Sequence, residues 1–367
     1  PPPPPPQLVP PRLGEQIRAF VEQIDDQVGS QAAERQKAFE LVARRVRRAW
    51  PAAEIVCYGS MRAGLCTPQS DMDLVVLQAP ALPASTLISI LHEILGDERG
   101  VVSATPLPHA QHPLLKLQVA PAETAGVMLD VDVSVAVSYN HGGVAATSVV
   151  CAELDARPAI RPLLLVIKSY LSNLGLNITW TGGLCSHALF LLVRAYVTSF
   201  ASSAGERPTM SNLGAALIGF LEWYGGFDFS RVQVCWSATT PFAPRPPLAV
   251  AKGYSPPPTT IEGLDHRNVG GKAFAIGSVV AAMRRAAAQL MSGCELIELL
   301  HASPEAVRLP PPQLQPRSSP VYSKAAGLLS PASRSPNRSP NGSSSPVLSN
   351  AHIAPPPPPP HRAPAIA

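Results

Sequence analysis

Proline sets the limits of what this chain can pack. It occurs 43 times in 367 residues, well above the usual share of about 5%, and it is unevenly spread. Prolines crowd the N-terminus (Pro1 to Pro6, Pro10, Pro11), the stretch from Pro241 to Pro258, and everything beyond Pro304. A residue that locks φ and lacks an N–H interrupts helix interiors and sheet ladders alike. A compact body is therefore expected over roughly residues 13–302, where the 46% hydrophobic content is ample for a core. The remainder from Ser303, with Ser-Arg-Ser-Pro-Asn-Arg-Ser-Pro and a proline run from Pro355 to Pro360, is expected to be disordered.

Charge divides along the same line. Beyond Ser303, Arg308, Arg317, Lys324, Arg334, Arg338 and Arg362 face the single acid Glu305, so the tail holds the excess behind the net +4. The body is close to neutral, and a nucleic-acid site on it would be a local groove, not a basic face. Cys57, Cys66, Cys151, Cys185, Cys235 and Cys294 show no Cys-x-x-Cys or Cys/His spacing. They read as reduced thiols of an intracellular protein and not as a zinc module. The most apolar segments carry Lys168, or His187 and Arg194, and fall short of a membrane span.

Inside the body the periodicity changes twice. Leu13 to Val28 and Ala32 to Trp50 repeat apolar residues at helical spacing. β-branched and aromatic runs follow at Glu54 to Tyr58 and Met72 to Leu77, then a helix from about Ser85 to Leu95. Further strands are expected near Val101 to Thr105, Leu114 to Val119 and Val127 to Val137. Together they predict a small α/β unit with a mixed sheet. Beyond Arg161 the pattern is helical (Pro162 to Leu174, Gly183 to Phe200, Asn212 to Tyr224, Ala273 to Met291), broken by a short strand at Val232 to Trp236.

The chemistry concentrates where the first strand ends in Gly59-Ser60 and the second opens with Asp71-Met-Asp73. Residues i and i+2 of a strand share a face, so Asp71 and Asp73 present adjacent carboxylates. These repel unless a cation lies between them, and Mg²⁺ prefers oxygen ligands. Gly59 allows close backbone approach, and Ser60 with the following amides could hold phosphate oxygens. A later apolar strand, Leu129-Asp-Val-Asp-Val-Ser-Val135, adds Asp130 and Asp132 on one face. Such a group can hold two divalent ions, one activating an attacking hydroxyl and one steadying a leaving pyrophosphate. A lone Asp-x-Asp is more often a solvated turn. The order strand, Gly-Ser, Asp-x-Asp, later strand Asp is much rarer.

Several separated motifs resemble the noncanonical poly(A) polymerases and terminal nucleotidyltransferases, especially the nuclear surveillance type. Besides the Gly-Ser/Asp-x-Asp block, Leu163-Leu-Leu-Val-Ile-Lys-Ser-Tyr-Leu171 is similar to the family's first central-domain helix. Thr181-Gly-Gly-Leu-Cys-Ser-His-Ala-Leu189 resembles its Thr-Gly-Gly-Leu-x-Ser-Tyr-Ala-Leu signature, and Asn212 to Gly225 its poly(A)-polymerase-associated (PAP-associated) segment. Asn268-Val-Gly-Gly-Lys-Ala-Phe274 resembles its nucleotide recognition motif. The resemblance implies a polymerase-β-like palm with a mixed sheet joined to a helical PAP-associated domain. Asp71, Asp73 and Asp132 become the catalytic ligands of two Mg²⁺ or Mn²⁺ ions, with Asp130 outside the ligand set. Gly59, Ser60, Asn140, Lys168, Ser186, His187 and Asn268 become nucleotide-binding residues. The chain departs from the pattern at His187, where the family has a base-stacking aromatic, and at Glu262-Gly263, where it has Asp-Pro. Asn140 aligns only if a residue is inserted before Gly143.

The implied organisation is a proline-rich terminus (1–12), helices packed on the central domain (13–50), a catalytic domain (51–157), a helical domain (158–302) and a basic tail (303–367). The implied activity is adenylyl transfer from ATP to an RNA 3′-hydroxyl in 3′-end processing or surveillance. Terminal uridylyl transfer from UTP is the nearest alternative, and a catalytically inactive proline-rich scaffold is the alternative from another class. No RNA-recognition, zinc-knuckle or KH signature is visible, so a partner protein is expected to supply RNA affinity. The tail could also engage SH3-, WW- or profilin-type partners. The nucleus is favoured over the cytoplasm, and no membrane association is expected.

Overall fold

Residues 12–120, 127–202, 208–237, 240–246, 257 and 259–301 are described in a computed structural model. Expectations for the N-terminal prolines, for most of the 241–258 loop and for the tail from 303 lie outside the described residues.

The two opening helices, Leu13–Ser30 (α1) and Ala32–Ala49 (α2), are separated by Gln31 alone. Both were expected on the helical domain, and they part company. Leu13 and Ile17 of α1 join the helical core, whereas Ala38, Leu41, Val42 and Val46 of α2 pack beneath the sheet. The reason is geometric: the sheet has one apolar face, and covering it takes α2 together with Ala84–Leu95 (α4).

That sheet comprises Glu54–Tyr58 (β1), Met72–Leu77 (β2), Val101–Leu107 (β3), Leu114–Val119 (β4) and Leu129–Val135 (β5), with Gly59–Arg62 forming a single helical turn (α3) after β1. Its order is β1-β2-β5-β4-β3, with β2 and β5 parallel and every other pair antiparallel. Alternation decides the faces. Leu115, Leu117, Val131 and Val133 are buried against the helices, which leaves Lys116, Gln118, Asp130 and Asp132 on the opposite face.

A helix that the periodicity did not announce follows, Gly142–Ala156 (α5). The rest is helical: Ile160–Asn173 (α6), a 3₁₀ turn at Thr179–Thr181, Ser186–Ser202 (α7), Leu213–Gly225 (α8), Ile276–Met291 (α9) and Leu296–Leu300 (α10). A two-stranded ribbon, Val232–Val234 (β6) with Phe242–Pro244 (β7), begins the proline-rich segment. α6 is buried almost all round because α1, α7, α8 and α10 surround it. Buried hydroxyls lock the bundle: Tyr170 donates to the Ala282 carbonyl at 3.1 Å, and Tyr224 to that of Leu192 at 2.9 Å. All six cysteines are free. Among the described residues no helix is long and apolar enough to cross a membrane.

Candidate active site

Between the sheet's polar face and α6–α7 lies a cleft of about 630 Å³, within the range of about 300–1,000 Å³ usual for small-molecule sites. Gly59, Ser60, Asp71, Asp73, Lys168, Ser186 and His187 all line it. Residues widely separated along the chain therefore meet in one cavity.

Gly59 occupies its position for steric reasons. Its φ is +68°, and a Cβ there would sit 2.2 Å from Asp73 Oδ2. Its N–H does not face the cavity as a free donor, since it donates to Thr147 Oγ1 at 2.8 Å. The Thr147 hydroxyl in turn donates to the Gly143 carbonyl at 2.7 Å. Gly59 makes room for the Asp73 carboxylate while α5 pins its backbone. Thr147 was missed because α5, with paired glycines and mixed β-branched residues, has no clear apolar stripe.

The loop before Asp71 is held from two sides. Arg35 of α2, only 2% exposed, donates to the carbonyls of Pro68 (3.3 Å) and Ser70 (3.2 Å) and to Gln31 Oε1 (3.0 Å). Lys168 of α6 donates to Leu65 O and Ser70 Oγ, both at 3.0 Å. Burial is the main influence on Lys168 and lowers its pKa, against the pull of nearby Cys66, Asp73 and Asp71. Its ammonium lies at the cleft wall with carbonyl and hydroxyl oxygens as its partners. Arg35 was missed because a single arginine in an amphipathic helix reads as surface.

Across the parallel ladder Asp73 is the register partner of Asp132, and across the next ladder Asp132 is the partner of Lys116. Burial, then the charges of Asp132 and Asp71, push the Asp73 carboxyl up to about 6. Asp71 is raised by burial first and by Asp132 next. Burial and mutual repulsion outweigh the opposing pull of Lys168 and Lys116 on both groups. Asp132 has a cation in direct contact: Lys116 Nζ lies 2.9 Å from each of its oxygens. With Lys116 49% exposed, the pair contributes about 1 kcal/mol or less. Asp130 instead accepts from Gln118 Nε2 at 3.3 Å. As they stand, no three acidic, His or Cys side chains among the described residues converge tightly enough to hold a metal.

His187 stacks on Phe190 with centroids 6.2 Å apart and planes 22° apart. Burial lowers its pKa, against a smaller upward pull from Asp265. Two expected nucleotide contacts are not brought to the cleft. Asn140 is exposed, outside the cavity lining, with its N–H bonded to Ser138 Oγ. Asn268 uses its amide on its own loop: Oδ1 accepts from the N–H groups of Ile261 and Gly270, both at 3.0 Å, and Nδ2 donates to Thr259 O at 2.9 Å. It shapes that loop and lies outside the cavity lining.

Comparison with known proteins agrees with this architecture. Residues 13–152 match the family model described as poly(A) RNA polymerase, mitochondrial-like, central palm domain. Poly(A) RNA polymerase CID14 of Cryptococcus neoformans is 29% identical over 227 residues, covering 60% of this chain and 28% of that protein. The inactive non-canonical poly(A) RNA polymerase protein Trf4-2 of Drosophila melanogaster is 30% identical over 192 residues, covering 50% of this chain and 44% of that one. The chain thus spans less than half the length of these relatives. Among solved structures, the polymerase core of TRAMP, an RNA surveillance complex, superposes with a TM-score of 0.65 at 24% identity, covering 80% of this chain and 90% of that one. The Cid1 poly(U) polymerase solved with Mg and 3′-dATP gives 0.61 at 20%, covering 76% and 94%. The mixed sheet with its helical companion is a polymerase-β-like nucleotidyltransferase fold, and over that fold the chain is similar to the noncanonical poly(A) polymerases.

Proposed function

We propose that this chain is a template-independent nucleotidyltransferase that extends RNA 3′ ends, with ATP as its preferred donor. The observation that carries the reading is the cleft lined by Asp71, Asp73, Lys168, Ser186 and His187, with Asp132, which is outside that lining, the ladder partner of Asp73. Partly buried carboxylate oxygens that repel one another suit divalent magnesium or manganese. Asp71, Asp73 and Asp132 would be the ligands, and the ions would supply charge neutralisation at the attacking and leaving oxygens.

The chain's own groups then divide the work. Lys168 and Ser186 hold the triphosphate, Lys168 exchanging the Leu65 and Ser70 oxygens for phosphate oxygens. His187, backed by Phe190, offers a flat face to the base. The RNA 3′-oxygen attacks the α-phosphorus in line, its proton passing to the Asp132 carboxylate or to solvent. The new P–O bond forms as the α–β phosphoanhydride bond breaks and pyrophosphate departs. Adenylate as the added unit is supported by the names of the curated relatives, and a uridylyl donor by the Cid1 likeness. The inactive fly relative keeps the scaffold alternative in the same test. The near-neutral body suggests that an RNA-binding partner completes the enzyme, and the motif resemblance to the nuclear surveillance type favours action in the nucleus.

Incubation of a labelled oligoribonucleotide with each NTP in turn, with Mg²⁺ or Mn²⁺, is the test. A ladder with ATP alone supports the proposal. A ladder with UTP alone selects the uridylyl alternative, and no ladder with any NTP, even at oligoribonucleotide concentrations high enough to offset a missing RNA-binding partner, selects the scaffold.

A further inference from the structure

The third carboxylate of the row is already engaged. Both oxygens of Asp132 face Lys116 Nζ at 2.9 Å. A carboxylate held at both oxygens by an ammonium offers a second cation only its remaining lone pairs, and no converged three-acid group is present among the described residues. A divalent ion attracted by three carboxylates outcompetes a half-exposed ammonium attracted mainly by one. Metal entry at Asp132 is therefore in competition with Lys116, and seating the ion favours the departure of Lys116.

The topology says where it goes. In the order β1-β2-β5-β4-β3, Gly59 and Ser60 follow β1, and Lys168 contacts the loop leading into β2, so the cleft lies on that flank. Lys116 lies on the other flank, beyond Asp132. Its neighbours there are polar: Thr105 is its register partner on β3, and Ser103 Oγ donates to Gln118 Oε1 at 3.1 Å. In-line displacement puts the attacking oxygen and the leaving pyrophosphate on opposite sides of the α-phosphorus. With the triphosphate on the Lys168 flank, the RNA 3′ end must approach over β4 and β3.

We propose that Lys116 is a positioning residue with two successive partners: Asp132 while the metal is absent, and the 3′-terminal phosphodiester of the RNA once a divalent ion has taken Asp132. The inference rests on the RNA nucleotidyltransferase reading for its second partner only. It makes metal and primer binding cooperative, because the ion that displaces Lys116 creates the cation that the primer needs.

The test uses the full chain and two variants, Lys116→Gln and Lys116→Arg, each first shown by thermal unfolding to be folded. Mn²⁺ alone is titrated calorimetrically at pH 8 without nucleotide or RNA. Lys116→Gln is expected to bind Mn²⁺ about fivefold or more tightly than wild type, since the ion meets neither an ion pair to break nor a like charge. Lys116→Arg should stay within about twofold of wild type, because the charge is kept. Anisotropy of a labelled oligoribonucleotide at fixed ionic strength gives the second readout. Mn²⁺ should strengthen wild-type binding about fivefold, and Lys116→Gln should lose most of that gain, as expected for one charge-assisted phosphate contact. A Lys116→Gln that binds Mn²⁺ equally or more weakly overturns the displacement. An undiminished Mn²⁺ gain in RNA binding overturns the hand-over. A protein that extends no primer with any NTP, even at primer concentrations high enough to offset a missing partner, refutes the enzymatic reading, yet its Mn²⁺ titration still decides the first step.

Discussion

Replacing Gly59 by alanine puts a methyl carbon 2.2 Å from Asp73 Oδ2, 3.1 Å from its Cγ and 3.3 Å from its Cβ. Turning the carboxylate relieves the shortest contact, but the other two still require Asp73 or the β1–α3 turn to give by a few tenths of an ångström. A carboxylate oxygen turned out of its ligand position by about 1 Å costs about 10²-fold in rate. A second cost arises at the backbone, since φ at Gly59 is +68° and a non-glycine residue in the left-handed region loses roughly 1–2 kcal/mol. Adding the strain of the displaced carboxylate, Gly59→Ala should lose about 1–3 kcal/mol of stability, a fall in Tm of about 3–10 °C. Gly29→Ala is the control: nothing lies within 4 Å of its added carbon, and alanine in a helix gains up to about 1 kcal/mol over glycine. Thermal unfolding and single-nucleotide extension of a labelled oligoribonucleotide measure both effects. A folded Gly59→Ala with wild-type Tm and wild-type rate would refute the claim that this glycine exists to seat Asp73.

Asp132→Asn should lower the extension rate by about 10³-fold or more, whereas Asp130→Asn, which disturbs only an outer contact to Gln118, should cost about tenfold or less; the same assay ranks them, and the reverse order would show that Asp130 is the ligand. Asp73, pushed up to about 6 by burial and then by Asp132 and Asp71, favours its protonated form in the metal-free fold. The stability it contributes is therefore present below the unfolded value of about 4 and lost as pH rises to about 6; Mn²⁺, which needs the ionised form, should raise Tm increasingly from pH 5 to about pH 7 and no further. His187→Tyr should lower the apparent KM for the nucleotide and His187→Ala should raise it by a comparable factor, with kcat little changed, since base stacking is worth about 1–3 kcal/mol and acts on ground and transition states alike. Because burial lowers the His187 pKa, any pH dependence of wild-type KM from this ring should lie below the ordinary histidine range, not between about pH 6 and 7.5 as a solvent-exposed ring would suggest.

The sequence by itself determined whatever depends on local pattern. Alternation in 114–119 and 129–135 and the apolar repeats of α1, α2 and α6 specify strands and helices because burial follows period. The pairing of Asp71 with Asp73 and of Asp130 with Asp132 follows from strand geometry alone. Where the local signal is weak or ambiguous, only packing settled the outcome. α5 forms from glycines, small residues and β-branched residues because its Thr147 bonds the Gly59 amide and its body lies against the β1–α3 turn. β7 exists because β6 offers it a ladder. α2 leaves the helical core because the sheet needs cover. Asn268, which its motif assigns to a nucleotide, is engaged by its own loop. The Lys116–Asp132 pair belongs to the same class. A lysine on an alternating strand reads as a solvated face, and nothing along the chain says which residue lies opposite. Register between strands is a tertiary property, decided by the cumulative fit of whole ladders, and it is register that sets an ammonium against the third carboxylate.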